Sequence, residues 1–125
     1  SKLAGARLAV KTGKKSLPAI GSDISDPAVK ESSYDATPLA AAVSLFADGL
    51  KPLSKKYGSI KVPLLLFTAT NDHVVNPKES DFLVSKYAGS VERVTLERSF
   101  HVATQDVEKE TIHAKALEFA KRVTA

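Results

Sequence analysis

Asp72 and His101 are the residues of this chain whose types and spacing can do chemistry, and each follows a short apolar run. A carboxylate that accepts the Nδ1–H of a histidine fixes its tautomer, and Nε2 can then take a proton from a nucleophile or a water. The natural third member, a serine on a Gly-x-Ser-x-Gly turn, is absent from the sequence. Ser80, Ser85, Ser90 and Ser99 all lie outside such a turn, and Ser99, two residues before His101, reads as a shaper of its loop. Taken singly, Asp72 in Asn71-Asp72-His73 reads as a turn-former and His101 as a partly buried loop histidine. Taken together, in acid-then-base order, they favour catalysis, with a carboxylate oxygen of Asp72 expected about 2.6–3.2 Å from His101 Nδ1.

Two strands must carry them. Val62-Pro63-Leu64-Leu65-Leu66-Phe67-Thr68-Ala69-Thr70 reads as a strand apolar on both faces, and Val91-Glu92-Arg93-Val94-Thr95-Leu96 as a second. Between them Asn76-Pro77-Lys78-Glu79 is a helix start, with Asn76 as cap and Glu79 able to complete a capping box. Ser80, Leu83, Val84 and Tyr87 form the inward face of that helix, and Gly89 is placed to end it. A last helix is expected from near Asp106, striped by Ile112, Ala116, Phe119, Ala120 and Val123, with Glu108, Glu110, Lys121 and Arg122 matched to its dipole. Strand–helix–strand–helix predicts parallel strands, whose carboxyl-end loops gather at one sheet edge. The 29 positions from Asp72 to His101 are the length of one such crossover. A strand apolar on both faces belongs inside a covered parallel sheet, so the pattern asks for more sheet than two strands supply.

Composition shifts near Gly58-Ser59-Ile60-Lys61, dividing residues 1–60 from 61–125. The first part is rich in Ser, Asp, Pro and Gly and reads as loops around one helix. Thr37 serves as its cap and Pro38 sits in its first turn. Leu39, Val43, Phe46 and Leu50 form its stripe, which Gly49 and Pro52 interrupt before a short turn from Leu53 to Tyr57.

With 43% hydrophobic and 26% charged residues, the 125 residues have the composition of an ordinary globular domain, and no run is long enough to span a membrane. The absence of Cys excludes disulfides, thiol catalysis and Cys-based zinc sites. The net charge of +4 is concentrated before residue 63, with ten Lys/Arg against five Asp/Glu, and eight against nine thereafter. A basic half can attract anions, but these lysines are neither interleaved with aromatics nor set on one helical stripe, so a solvated surface is the plainer reading and no nucleic-acid partner is expected. His73 beside Asp72 suggests a metal only if further ligands exist, and His113 reads as structural at the edge of the last helix's stripe. No metal and no cofactor is expected, glycine-rich phosphate loops being absent. The chain opens at Ser1 and has no Met, so a targeting segment upstream stays open; the location expected from the residues themselves is cytoplasmic.

The segments Pro63-Leu64-Leu65-Leu66, Thr70-Asn71-Asp72-His73-Val74-Val75-Asn76-Pro77 and Ser99-Phe100-His101-Val102-Ala103-Thr104-Gln105-Asp106 resemble the C-terminal part of α/β-hydrolases, nearest in look to bacterial carboxylesterases and monoacylglycerol lipases. The resemblance implies a partial α/β-hydrolase fold: residues 1–60 a mainly helical cap or lid, residues 61–125 a β-α-β-α unit of the core with parallel strands, the remaining sheet lying elsewhere. It also implies that Asp72 is the acid and His101 the base of a serine hydrolase acting on carboxylic esters of apolar acyl groups, whose serine and oxyanion donors lie in a missing N-terminal half. Leu39, Val43 and Phe46 would then line the acyl side of the cap or simply hold it to the body, and His73 would sit at the rim. The alternatives are a non-catalytic interaction module derived from such a hydrolase, and a small anion-binding domain. Open strand edges also make an oligomer conceivable.

Overall fold

The apolar run becomes strand β3 (Leu64–Ala69) and the second run strand β4 (Val91–Leu96) in the computed structural model, which describes residues 2–125. The two strands pair in parallel, from Leu64 opposite Val91 to Ala69 opposite Leu96. Helix α4 (Lys78–Lys86) crosses between them. Asn76 Oδ1 accepts the Lys78 N–H at 3.0 Å, with Glu79 and Asp81 in the positively polarised first turn. Ser80, Leu83, Val84 and Tyr87 are its half-buried positions, as their spacing requires.

Gly89 does not end α4. The helix closes at Tyr87, whose backbone is already extended, and the Tyr87 hydroxyl donates to the Val62 carbonyl at 3.0 Å. The φ of Gly89 is not positive; its role is close approach, since a Cβ there would run into the backbone of Lys61 and Val62.

Residues 2–60 hold more structure than loops and one helix. Helix α1 (Lys2–Lys11) forms from a run rich in strong helix formers, including Ala4, Ala6, Leu8 and Ala9, and Gly13 at φ 90° turns the chain away from it. Strands β1 (Ser16–Pro18) and β2 (Ala36–Pro38) make a short antiparallel pair. Thr37 therefore lies in a strand and caps no helix, and Pro38, extended at the strand's end, precedes the first turn of the helix. The Leu39 N–H is bonded to the Lys15 carbonyl at 2.9 Å, which holds this entry extended.

Helix α2 (Leu39–Ser44) continues through a π-helical turn (Leu45–Leu50) into α3 (Lys51–Ser54), so Gly49 and Pro52 do not interrupt it. The physical reason is the widened turn: the Lys51 N–H reaches back five residues to Phe46, easing the place where Pro52 lacks an N–H and its ring would crowd a carbonyl. Leu39 is buried and Val43 half-buried, but Phe46 and Leu50 face solvent.

Helix α5 (Lys109–Thr124) starts three residues later than expected, because Asp106 is engaged elsewhere. Ile112 is buried and Phe119 half-buried, whereas Ala116, Ala120 and Val123 are exposed. Arg122 pairs with Glu92 of β4 and lies over the Phe119 ring. His113 is solvent-facing, 3.8 Å from Glu110, and not a packing residue. Leu39, Leu96 and Ile112 are the buried apolar residues among those described, and Leu64 to Phe67 of β3 are only half-covered.

Candidate active site

Parallel pairing brings the loops after β3 and β4 to the same sheet edge, and the backbone fastens them together. The Thr70 N–H bonds the Leu96 carbonyl at 3.0 Å, and the Asn71 side-chain amide bonds the Glu97 carbonyl at 2.7 Å. On this platform Asp72 Oδ2 lies 2.9 Å from His101 Nδ1. The other oxygen, Oδ1, accepts the Val74 and Val75 N–H groups at 2.8 and 2.7 Å. One carboxylate thus makes the turn and engages the histidine, so the turn-forming and histidine-orienting readings of Asp72 describe its two oxygens.

An ionised carboxylate only accepts, so Nδ1 carries the proton of the neutral imidazole and Nε2 is the basic nitrogen. Burial pushes the Asp72 carboxyl up, but the bonds from His101, Val75 and Val74 outweigh it and hold the group below the usual carboxylate range. The Asp72 side chain is 15% exposed and that of His101 39%, so the carboxylate is shielded while the imidazole stays reachable. A hollow of about 250 Å³ opens beside them, lined by Phe67, Thr68, Val75, Ser80 and Leu96 among others.

Of the other expected site residues, Leu39, Val43 and Phe46 are not brought to this hollow. His73 is turned away from Asp72: its Nδ1 lies 2.7 Å from Asp23 Oδ1, and its ring stands edge-on to Phe100, centroids 4.6 Å apart. The His73 and His101 rings therefore use different carboxylates. Ser99 is fully buried and gives its hydroxyl to Glu108 at 2.8 Å, in keeping with a loop-shaping role.

Three carboxylates hold this edge in ways the sequence did not indicate. Asp23 is 7% exposed; its Oδ2 accepts the backbone N–H groups of both His73 and His101, each at 3.1 Å. Asp106 is 1% exposed and takes N–H bonds from Ser25, Asp26, Phe100 and Val107, and the Ser25 hydroxyl at 2.6 Å. Burial alone would raise it, yet these bonds drive it far below the usual carboxylate range. Glu108, expected to serve the helix dipole, instead accepts from the Arg98 and Ser99 N–H groups at 3.0 and 2.8 Å. Asp23, Ser25 and Asp26 lie in an Asp/Ser-rich stretch whose composition signals only turns. The one local hint is Gly21, which at φ 84° supplies a bend two residues before Asp23.

No family model matches the chain. Over 104 residues it is 38% identical to a thermostable monoacylglycerol lipase of Bacillus sp. (strain H-257), a match covering 82% of the chain and 41% of that protein. The chain is homologous to part of a lipase. Its fold matches that of a metagenome-derived lipolytic enzyme with a TM-score of 0.87 at 33% identity, over 97% of this chain and 49% of that one. The monoacylglycerol lipase of Paleococcus ferrophilus matches with a TM-score of 0.70 at 21% identity, over 94% and 50%, a likeness of fold alone. The chain thus spans about half the length of the relatives it matches, and among its described residues no helix is long and apolar enough to cross a membrane.

Proposed function

We propose that the chain supplies the acid and base of a serine hydrolase that cleaves carboxylic esters of apolar acyl groups, the nucleophilic serine standing on a part of the protein outside residues 1–125. The observation that carries this reading is the 2.9 Å contact between Asp72 and His101 at the carboxyl edge of two parallel strands. In the reaction, His101 Nε2 takes the serine proton as the hydroxyl oxygen attacks the ester carbonyl, and returns it to the departing alcohol. A water then attacks the acyl-enzyme, His101 taking its proton and restoring it to the serine. Asp72 stays ionised throughout, holding the ring and stabilising the imidazolium.

Two further observations support a larger sheet and an ester substrate. Leu64 to Phe67 are apolar on both faces and only half-covered by this chain, a condition that further strands and helices would relieve. The names of the relatives, a monoacylglycerol lipase and a lipolytic enzyme, point to acyl esters. Residues 1–60 then form the cap and 61–125 part of the core, with the stretch around Asp23 reaching across to the site. The half-buried Val43 and exposed Phe46 are available to an acyl chain or to the remainder of the protein.

The test is hydrolysis of a series of p-nitrophenyl acyl esters by the complete protein, with and without a fluorophosphonate that labels activated serines. Turnover abolished by stoichiometric labelling and by His101→Ala supports the proposal. A folded His101→Ala variant with wild-type turnover removes His101 as the base, and a folded complete protein with no turnover and no labelling favours the interaction module.

A further inference from the structure

Asp72 and His101 sit on loops that leave different strands, so their 2.9 Å contact depends on two backbones keeping one relative position. Beyond the Thr70–Leu96 and Asn71–Glu97 bonds at the strand ends, one oxygen joins those backbones beside the pair: Asp23 Oδ2 accepts from the N–H of His73, the residue after the acid, and from the N–H of His101, the base itself. The Asp23 carbonyl oxygen also accepts the Val102 N–H at 3.1 Å. We propose that Asp23 is a positioning residue, whose buried carboxylate clamps the acid loop to the base loop and so sets the geometry of the Asp72–His101 pair. The inference rests on the reading of those two residues as acid and base.

Three features carry it. The donors are the two N–H groups next to, or on, the reacting residues, so any drift of either loop is felt directly at the pair. The acceptor is nearly enclosed, and the backbone two and three residues further on is pinned by Asp106 bonding Ser25 and Asp26, so the clamp has a fixed base. Its second oxygen, Oδ1, is held by the His73 ring at 2.7 Å, which stops the carboxylate rotating away. Burial raises the Asp23 carboxyl, but the His73 and His101 bonds outweigh it and keep the group anionic, an acceptor at both oxygens.

The experiment uses Asp23→Ala, Asp23→Glu and Asp23→Asn in the complete protein, with kcat and KM for one acyl ester measured where circular dichroism shows each variant folded. Asn keeps a carbonyl oxygen able to take both backbone N–H groups; Ala has none, and Glu displaces its carboxylate. The expected result for Ala and for Glu is a kcat lower by about 10–100-fold, as for other residues that orient reacting groups through hydrogen bonds. KM should move much less. Asn should recover kcat to within about five-fold of wild type, the effect of a weakened hydrogen bond. If Ala does not fold, Glu and Asn carry the comparison. Wild-type kcat in a folded Ala or Glu variant overturns the proposal, and so does an Asn variant as slow as Glu. His101→Ala is measured alongside: if it retains turnover the acid–base reading fails, whereas an inactive His101→Ala with a fully active Asp23→Ala removes the clamp alone.

Discussion

The hydroxyl of Ser25 meets Asp106 Oδ1 at 2.6 Å, although 81 positions separate the two residues in the chain. Asp106 is nearly sealed from water and accepts four backbone N–H groups besides, so it joins the loop of residues 25–26 to that of Phe100. Asp106→Ala leaves several of those donors without a partner in a closed site. Each buried orphan costs about 1–3 kcal/mol, so a total loss of roughly 3 kcal/mol or more is expected by urea titration. A loss below about 0.5 kcal/mol, the size of a neutral surface substitution, would contradict the clasp.

Acid should destabilise this sheet edge. Asp23, Asp72, Asp106 and Glu108 all titrate below their ordinary range in the folded chain because bonds from N–H, hydroxyl and imidazole groups outweigh their burial. For a carboxyl depressed on folding, the unfolded chain takes up the proton first as pH falls. The stabilisation is therefore complete above the ordinary carboxyl value, about pH 4, and is lost progressively below it. Thermal midpoints measured across the acid range should fall steeply there, and Asp106→Asn should flatten the fall. A midpoint unchanged from neutrality down to pH 2 would rule this out.

Catalysis by the complete protein should collapse without the base. His101→Ala is expected to lower kcat by on the order of 10⁴ or more, with little change in unfolding. Asp72→Asn should cost up to about 10⁴, since an amide disturbs the tautomer that leaves Nε2 basic. It also keeps an oxygen for the Val74 and Val75 N–H groups, so the turn should survive. Ester turnover beside circular dichroism checks both.

Gly89→Ala provides a test away from the site. Its new Cβ would meet backbone atoms of Lys61 and Val62, which cannot swing aside as a flexible side chain would. Overpacking of this kind costs about 1–3 kcal/mol, expected as a lowered thermal midpoint. An unchanged or raised midpoint would show that the segment before β3 yields freely.

The parts legible in the sequence were those governed by local pattern. An unbroken apolar run located β3, a Val-, Thr- and Leu-bearing run located β4, Asn76-Pro77 located α4, and strand–helix–strand order placed Asp72 and His101 on one edge. Pattern misled where a long-range contact decided. The last helix is expected from near Asp106, but that carboxylate is spent on Ser25, Asp26 and Phe100. Thr37 resembles a cap but is held in a strand by its pairing with Leu17. The bonds of Asp23 span 50 and 78 positions, and no periodicity encodes a carboxylate whose donors are so distant. Pro52 misled for a different reason: a helix has more than one hydrogen-bond register, and the π turn uses the wider one.

The clamp crosses the division that composition draws near residue 60. Exchange of residues 1–60 for the matching stretch of another protein, as in recombining specificity between relatives, would deliver a new outer surface but discard the oxygen shared by His73 and His101. The transplantable unit thus excludes residues 23–26, which travel with the segment that follows β3. A breakpoint placed before Asp23 keeps the fastening; one placed at residue 60 severs it.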